Sequence, residues 1–120
     1  MPKSPERGAL VGPEGIVADR VEWATSFRAR RRGVIGRDPL GPHEALVIWP
    51  CRRIHTKGVA YPLDVVFCDR RWRVLHVQTV PPQQLSRRIW RAKGCVELAA
   101  GRARACGVVP GVRLRFSGER

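Results

Sequence analysis

Cys51, His55 and Asp64 place a thiol, an imidazole and a carboxylate in order along one stretch of chain. These are the groups of thiol catalysis, in which a histidine takes the proton of the nucleophile and a carboxylate holds the imidazole in place. The spacing argues for a different use. On an extended strand Cys51 and His55 would share a face about 13 Å apart, too far for a common metal or proton unless the chain turns between them. No helix N-terminus or glycine-rich elbow is predicted at Cys51 to acidify the thiol or form an oxyanion hole. A thiol- or carboxylate-based hydrolase on these three residues is therefore the alternative reading. The favoured one is a non-enzymatic binding or accessory module, its pocket lined by His55, Thr56 and Asp64 together with Arg37. In that reading Asp64 accepts hydrogen bonds from the irregular loop 57–61 or from Thr56, because a buried carboxylate needs such partners or a cation.

The second candidate group is basic. The chain carries a net charge of +13 in 120 residues, and 20 of its 23 basic residues are arginine. Charge of that sign favours an acidic partner or nucleic acid. The densest run, Arg28, Arg30, Arg31 and Arg32, with Arg37 beyond it, would touch phosphates while Trp72 or Trp90 stacks on bases. Because arginines are scattered along the whole chain and no DNA- or RNA-binding motif accompanies them, this is a second alternative. Cys51, Cys68, Cys95 and Cys106 have neither paired spacing nor a framework, so they read as reduced thiols, and neither a metal nor a cofactor is expected. No apolar run reaches the roughly 18 residues of a membrane span, and no apolar segment follows the charged N-terminus, so a cytoplasmic location is expected.

The elements that must position these residues are short and mostly β. Residues 1–14, rich in proline and glycine, read as a flexible leader, 15–117 as a single domain and 118–120 as a tail. Strands are expected at 15–18 and 21–23. A helix follows over 25–33, capped by Thr25 or Ser26, with an apolar edge of Phe27, Val34 and Ile35. The run 45–49, bounded by Pro50, reads as a strand buried on both faces. Strands 63–68 and 73–80 form a hairpin whose central pair Arg70-Arg71 sets Phe67 opposite Val74 and Val65 opposite His76. A strand at 95–98 carries Glu97, expected to face solvent or pair with an arginine across the sheet. A helix at 99–106 ends at Gly107, and the alternating segment 112–116 is the closing strand. The fold class is thus α+β and β-rich, a compact antiparallel sheet or partly open barrel with two or three short helices.

Five landmarks in this order resemble one family. Arg32-Gly33-Val34-Ile35-Gly36-Arg37 is similar to an R-G-L-M-x-R segment. Pro50-Cys51 and His55-Thr56 follow, then Pro62-Leu63-Asp64-Val65-Val66-Phe67-Cys68-Asp69, similar to P-[IL]-D-[VI]-x-F-[LV]-D. Val96-Glu97-Leu98-Ala99-Ala100-Gly101 is similar to V-L-E-L-P-A-G, and 107–114 to G-[IV]-x-x-G-D-x-[LI]. Together they resemble the DUF192 family over residues 15–116. The resemblance implies a compact β-rich domain with short helices, and association with secretion or pilus systems in some relatives; it supplies no catalytic mechanism and no cofactor. The chain departs from the family pattern at Val59, Ala99 and Val112, which stand for Met, Pro and Asp. It also has Trp72 where the hairpin turn commonly has glycine, and a bulky residue disfavours positive φ there.

Overall fold

The computed structural model describes residues 8–117. Eight strands and two short helices run in the order β1 (Leu10–Gly12), β2 (Gly15–Ala18), β3 (Arg20–Ala24), α1 (Phe27–Arg32), β4 (Glu44–Ile48), β5 (Leu63–Cys68), β6 (Val74–Val80), β7 (Gly94–Ala99), α2 (Arg102–Ala105) and β8 (Arg115–Phe116). The large sheet has the order β3-β4-β7-β5-β6, and a small one the order β2-β1-β8. Only β3 and β4 pair in parallel; the other pairs of both sheets are antiparallel. The two sheets do not close into a barrel, and the fold is α+β and β-rich with two small helices.

Why the large sheet is the centre follows from its strands. All six residues of β5 are buried and β7 is buried through Leu98, as continuous apolar runs covered on both faces should be. Alternation along them feeds two separate cores. Val47, Val66, Cys68, Val96 and Leu98 face one side, under the small sheet and α2. Leu46, Ile48, Leu63, Val65, Phe67 and Cys95 face the other, where Val34, Leu40, Ile54 and Val59 arrive from irregular segments. One face is therefore closed mainly by regular structure and the other largely by loops.

Local expectations are corrected in several places. Residues 10–12 of the expected leader form β1, which pairs with both β2 and β8; residues 1–7 and the expected tail 118–120 lie outside the described residues. In α1 the cap is Ser26, whose hydroxyl accepts from Ala29 N–H at 3.0 Å. The expected apolar edge is incomplete: Val34 is buried, but Phe27 is 68% exposed. The β5–β6 register is shifted, with Phe67 opposite His76, Cys68 opposite Val74 and an irregularity between them. In the turn beyond it Trp72 takes φ = 67°, the conformation its size was expected to prevent. It is held there by Trp49 and Phe116, at ring-centroid distances of 4.9 and 5.1 Å, and by Trp23 at 5.9 Å. Asp69 Oδ1 adds two bonds, from Arg71 N–H at 2.8 Å and Arg73 N–H at 3.0 Å. Such a conformation costs on the order of 1 kcal/mol, less than a packed indole contributes. The alternating segment 112–116 is divided: its last two residues form β8 on β1, while Arg113 bridges Arg73 and Val112 O accepts from Val74 N–H at 2.8 Å at the hairpin.

Candidate functional site

A cleft of about 520 Å³ opens on the loop-covered face. Its walls are Ile48 at the end of β4, Val34 and Ile35 after α1, and Ile54 and Val59 from the segment before β5. Arginines 30, 31 and 32 of α1, Arg52 and Arg53 after β4, and Arg88 line it as well. Cys51, His55 and Glu97 also line it.

Glu97 is the residue around which the cleft is built. On β7 it pairs in register with Leu46 of β4 and Val65 of β5, so it belongs to the same face as those two core residues. It is 3% exposed, and its Oε1 has no hydrogen-bond partner. It neither faces solvent nor pairs with an arginine, as had been expected of it: the ion pairs among the described residues are Arg20–Glu44 and Arg37–Glu22. Burial pushes its carboxyl up to about 8, the Cys51 thiolate pushes the same way and Arg37 opposes both. At neutral pH Glu97 is consequently mostly a carboxylic acid, able to donate one hydrogen bond and accept others. Gly33 ends α1 at φ = 51°, and a methyl group built on it would lie 3.8 Å from Oε1. Glycine here both satisfies the backbone and leaves the space over the carboxyl open.

The same cleft holds a second orphaned group. Arg30 Nε–H is buried without a partner, while the same guanidinium reaches Pro50 O at 3.4 Å through Nη1. A buried donor left unpaired costs about 1–3 kcal/mol, a cost that a ligand atom can remove. Cys51, half-buried after β4, accepts from the Cys95 thiol at a sulfur–sulfur distance of 3.5 Å. That hydrogen bond lowers the Cys51 thiol, burial opposes it and the Arg30 guanidinium assists. Burial together with its partner sulfur holds Cys95 well above its ordinary value.

Of the residues expected from sequence to form the pocket, only His55 lines this cleft. It is exposed, and its Nδ1 accepts from Lys57 N–H at 3.3 Å. Thr56 is fully buried and works as a clamp: its hydroxyl donates to Pro81 O at 2.5 Å and accepts from Gln84 N–H at 2.9 Å. Arg37 is bound to Glu22, and its carbonyl accepts from the Tyr61 hydroxyl at 3.2 Å. Asp64 corrects the expectation most. It does not brace 57–61; Oδ2 accepts from Gly101 N–H and Ala103 N–H, both at 3.0 Å, and Oδ1 accepts from the Thr79 hydroxyl at 2.7 Å. The N-cap position of α2 is Gly101, which has no side chain, so Asp64 supplies the cap from a distant strand. Its strand neighbours Val66 and Cys68 face the first core, whereas Glu97 and Cys95 lie on the other face. Cys51 and Asp64 are therefore separated by the sheet, and the trio Cys51, His55 and Asp64 has no shared site.

The stacking candidates also part. Trp72 is packed among aromatic rings, while Trp90 is 72% exposed with the Arg88 guanidinium 4.9 Å from its ring centre. Arg28, Arg31 and Arg32 are exposed on α1, and the Arg30 and Arg31 guanidinium groups lie 6.0 and 5.9 Å from the Phe27 ring. Glu97 and Arg30 are the residues sequence reasoning missed as a pair. The available signal was a carboxylate in the middle of an apolar strand, which solvent exposure or an ion pair would equally explain.

Fold and cleft together define a β-rich domain of a family without an assigned activity. The chain belongs to the DUF192 family, described as an "Uncharacterized ACR", whose pattern matches residues 10–116. It is similar in structure to a protein of unknown function from Novosphingobium aromaticivorans, with a TM-score of 0.78 at 22% identity, covering 90% of this chain and 82% of that one. It is also similar to a candidate transcription regulator from Sinorhizobium meliloti, with a TM-score of 0.75 at 25% identity and 92% of each chain covered. No curated protein matches. In the described residues no helix is long and apolar enough to cross a membrane.

Proposed function

We propose that the protein is a non-enzymatic binding module whose cleft takes a small organic anion with a hydroxyl or carbonyl group beside the charge. The observation that carries this reading is the pair of buried, unpartnered polar atoms, Arg30 Nε and Glu97 Oε1, in one cleft. The anionic group would accept from Arg30 and the neighbouring guanidinium groups, which bind carboxylate and phosphate well because their donors are planar and fixed. The adjacent oxygen would meet Glu97, which repels an anion little while it holds its proton. Apolar walls from Ile48, Ile54 and Val59 suit a short carbon skeleton. His55 borders the entrance, and Thr56 and Asp64 support the reading only by holding the surrounding loops and α2 in place.

The test is a thermal-shift screen with hydroxycarboxylates and sugar phosphates, followed by calorimetry on whichever raises the melting temperature. Arg30→Met should reduce affinity at least tenfold, and Glu97→Gln should reduce it less, since an amide keeps a donor and an acceptor. If no member of either class binds, or if binding is indifferent to Arg30→Met in a folded variant, the cleft is not an anion site.

A further inference from the structure

We propose that Cys51 and Cys95 are a reversible redox pair, oxidised from the cleft by hydroperoxides and closed into a disulfide in the cleft wall. This goes beyond ligand binding and does not depend on it. The two sulfurs are already in contact at 3.5 Å, so a small rotation of the side chains, rather than a rearrangement of the sheet, separates them from bonding distance. Their surroundings differ in the way a two-step oxidation requires. Cys51 lines the cleft and is half-buried, which gives a small oxidant access to its sulfur. Cys95 is fully buried on β7 beside it, screened from solvent oxidants yet within reach of its partner. The remaining thiols, Cys68 and Cys106, are buried in the other core, across the sheet from the pair.

The chemistry balances with one hydroperoxide per pair. The Cys51 thiolate attacks the outer oxygen of the hydroperoxide; a sulfur–oxygen bond forms, the oxygen–oxygen bond breaks and the departing alkoxide or hydroxide takes a proton from solvent. The Cys95 sulfur then attacks the sulfenic sulfur of Cys51. A sulfur–sulfur bond forms, the sulfur–oxygen bond breaks, and water leaves with the proton that Cys95 carried. The pair gives up two electrons, which reduce the hydroperoxide to an alcohol or water plus the water released on closure. A dithiol returns both sulfurs to thiols by exchange. The proton distribution makes Cys51 the sulfur that attacks first. The Cys95 hydrogen bond holds the Cys51 thiol below its ordinary value and so raises the fraction of nucleophilic thiolate. Cys68, pushed up to about 12 by burial, offers almost none.

The experiment uses the full chain, reduced and freed of reductant, treated with one equivalent of hydrogen peroxide. Thiol titration and peptide mapping by mass spectrometry then follow. Two of the four thiols should disappear together, a peptide joining Cys51 to Cys95 within one molecule should appear, and dithiothreitol should restore both. In Cys95→Ala the joined peptide should be absent and dimedone should capture a sulfenic acid at Cys51. In Cys51→Ala, thiol loss at this dose should be abolished. Cys95→Val serves in place of Cys95→Ala if circular dichroism shows that the smaller side chain unfolds the core. An unchanged thiol count in the wild type would overturn the proposal. So would a link through Cys68 or Cys106, or links formed only between molecules.

Discussion

Glu97 ties the cleft to pH through its proton. Below its ordinary value of 4.5 the carboxyl is protonated in the folded and unfolded chains alike. Between 4.5 and about 8 only the folded chain holds the proton, so stability falls as pH rises, by up to about 1.4 kcal/mol per unit, and levels off above that window. Cys51 acts with the opposite sign near its own titration, because its thiol is held below the ordinary value. Glu97→Gln isolates the carboxyl. Urea denaturation at about pH 5 and about pH 9 should show the wild type losing several kcal/mol while the variant changes little; parallel losses would mean that Glu97 is already ionised in the fold. Anion affinity should decline over the same window as Glu97 acquires its charge. The sequence displayed this residue without its meaning. A glutamate among Cys95, Val96 and Leu98 is recognisable as an exception, but the segments that cover its face, bringing Val34, Ile54 and Val59, lie far away in sequence, and no local pattern says which face they will cover.

At the level of elements, α2 illustrates how a short helix is held by a group outside it. Four residues with a glycine cap would not persist alone, since nucleating a helical turn is unfavourable. Asp64 accepts two of its N–H groups, and Thr79 fixes the carboxylate from β6. Asp64→Ala strands those buried donors and should cost about 3 kcal/mol in urea unfolding, with Asp64→Asn recovering part of it. Neither change should alter anion affinity in the folded protein; a selective loss of binding would return Asp64 to the site. Strands β4, β5, β6 and β7 were legible because apolar runs end at proline, glycine or charged turns, and α1 because Ser26 stands at its start. The partner of Asp64 was not, since Gly101 and Ala103 are brought to it only by the pairing of Asp64 with Leu98. The conformation of Trp72 was not legible for a related reason. Local propensity argues against positive φ at Trp72, and the opposing force comes from Trp23, Trp49 and Phe116, which tertiary structure gathers.

Across the whole molecule, the division into two cores separates the capped helix α2 from the cleft. The face under the small sheet and α2 holds Asp64 and the aromatic cluster, and the loop-covered face holds the cleft with its arginines. A site formed by exposed guanidinium groups should be sensitive to ionic strength, whereas the buried contacts of Arg30 Nε and Glu97 are shielded from it. The pairing of β1 with β8 has another consequence. Leu10 is the partner of Phe116, and Ser117 N–H donates to Ala9 O at 3.0 Å, so the described chain begins and finishes at neighbouring points. In topological terms the domain is nearly a ring cut beside a small sheet, with the cleft on the far side of its main sheet. Joining Ser117 to Gly8 through a short glycine linker and opening the chain between Arg70 and Arg71 should give a circular permutant with the same circular-dichroism spectrum and the same anion affinity. A permutant that cannot fold would show that the order in which the strands are connected, and not only their final neighbours, is needed to assemble this sheet.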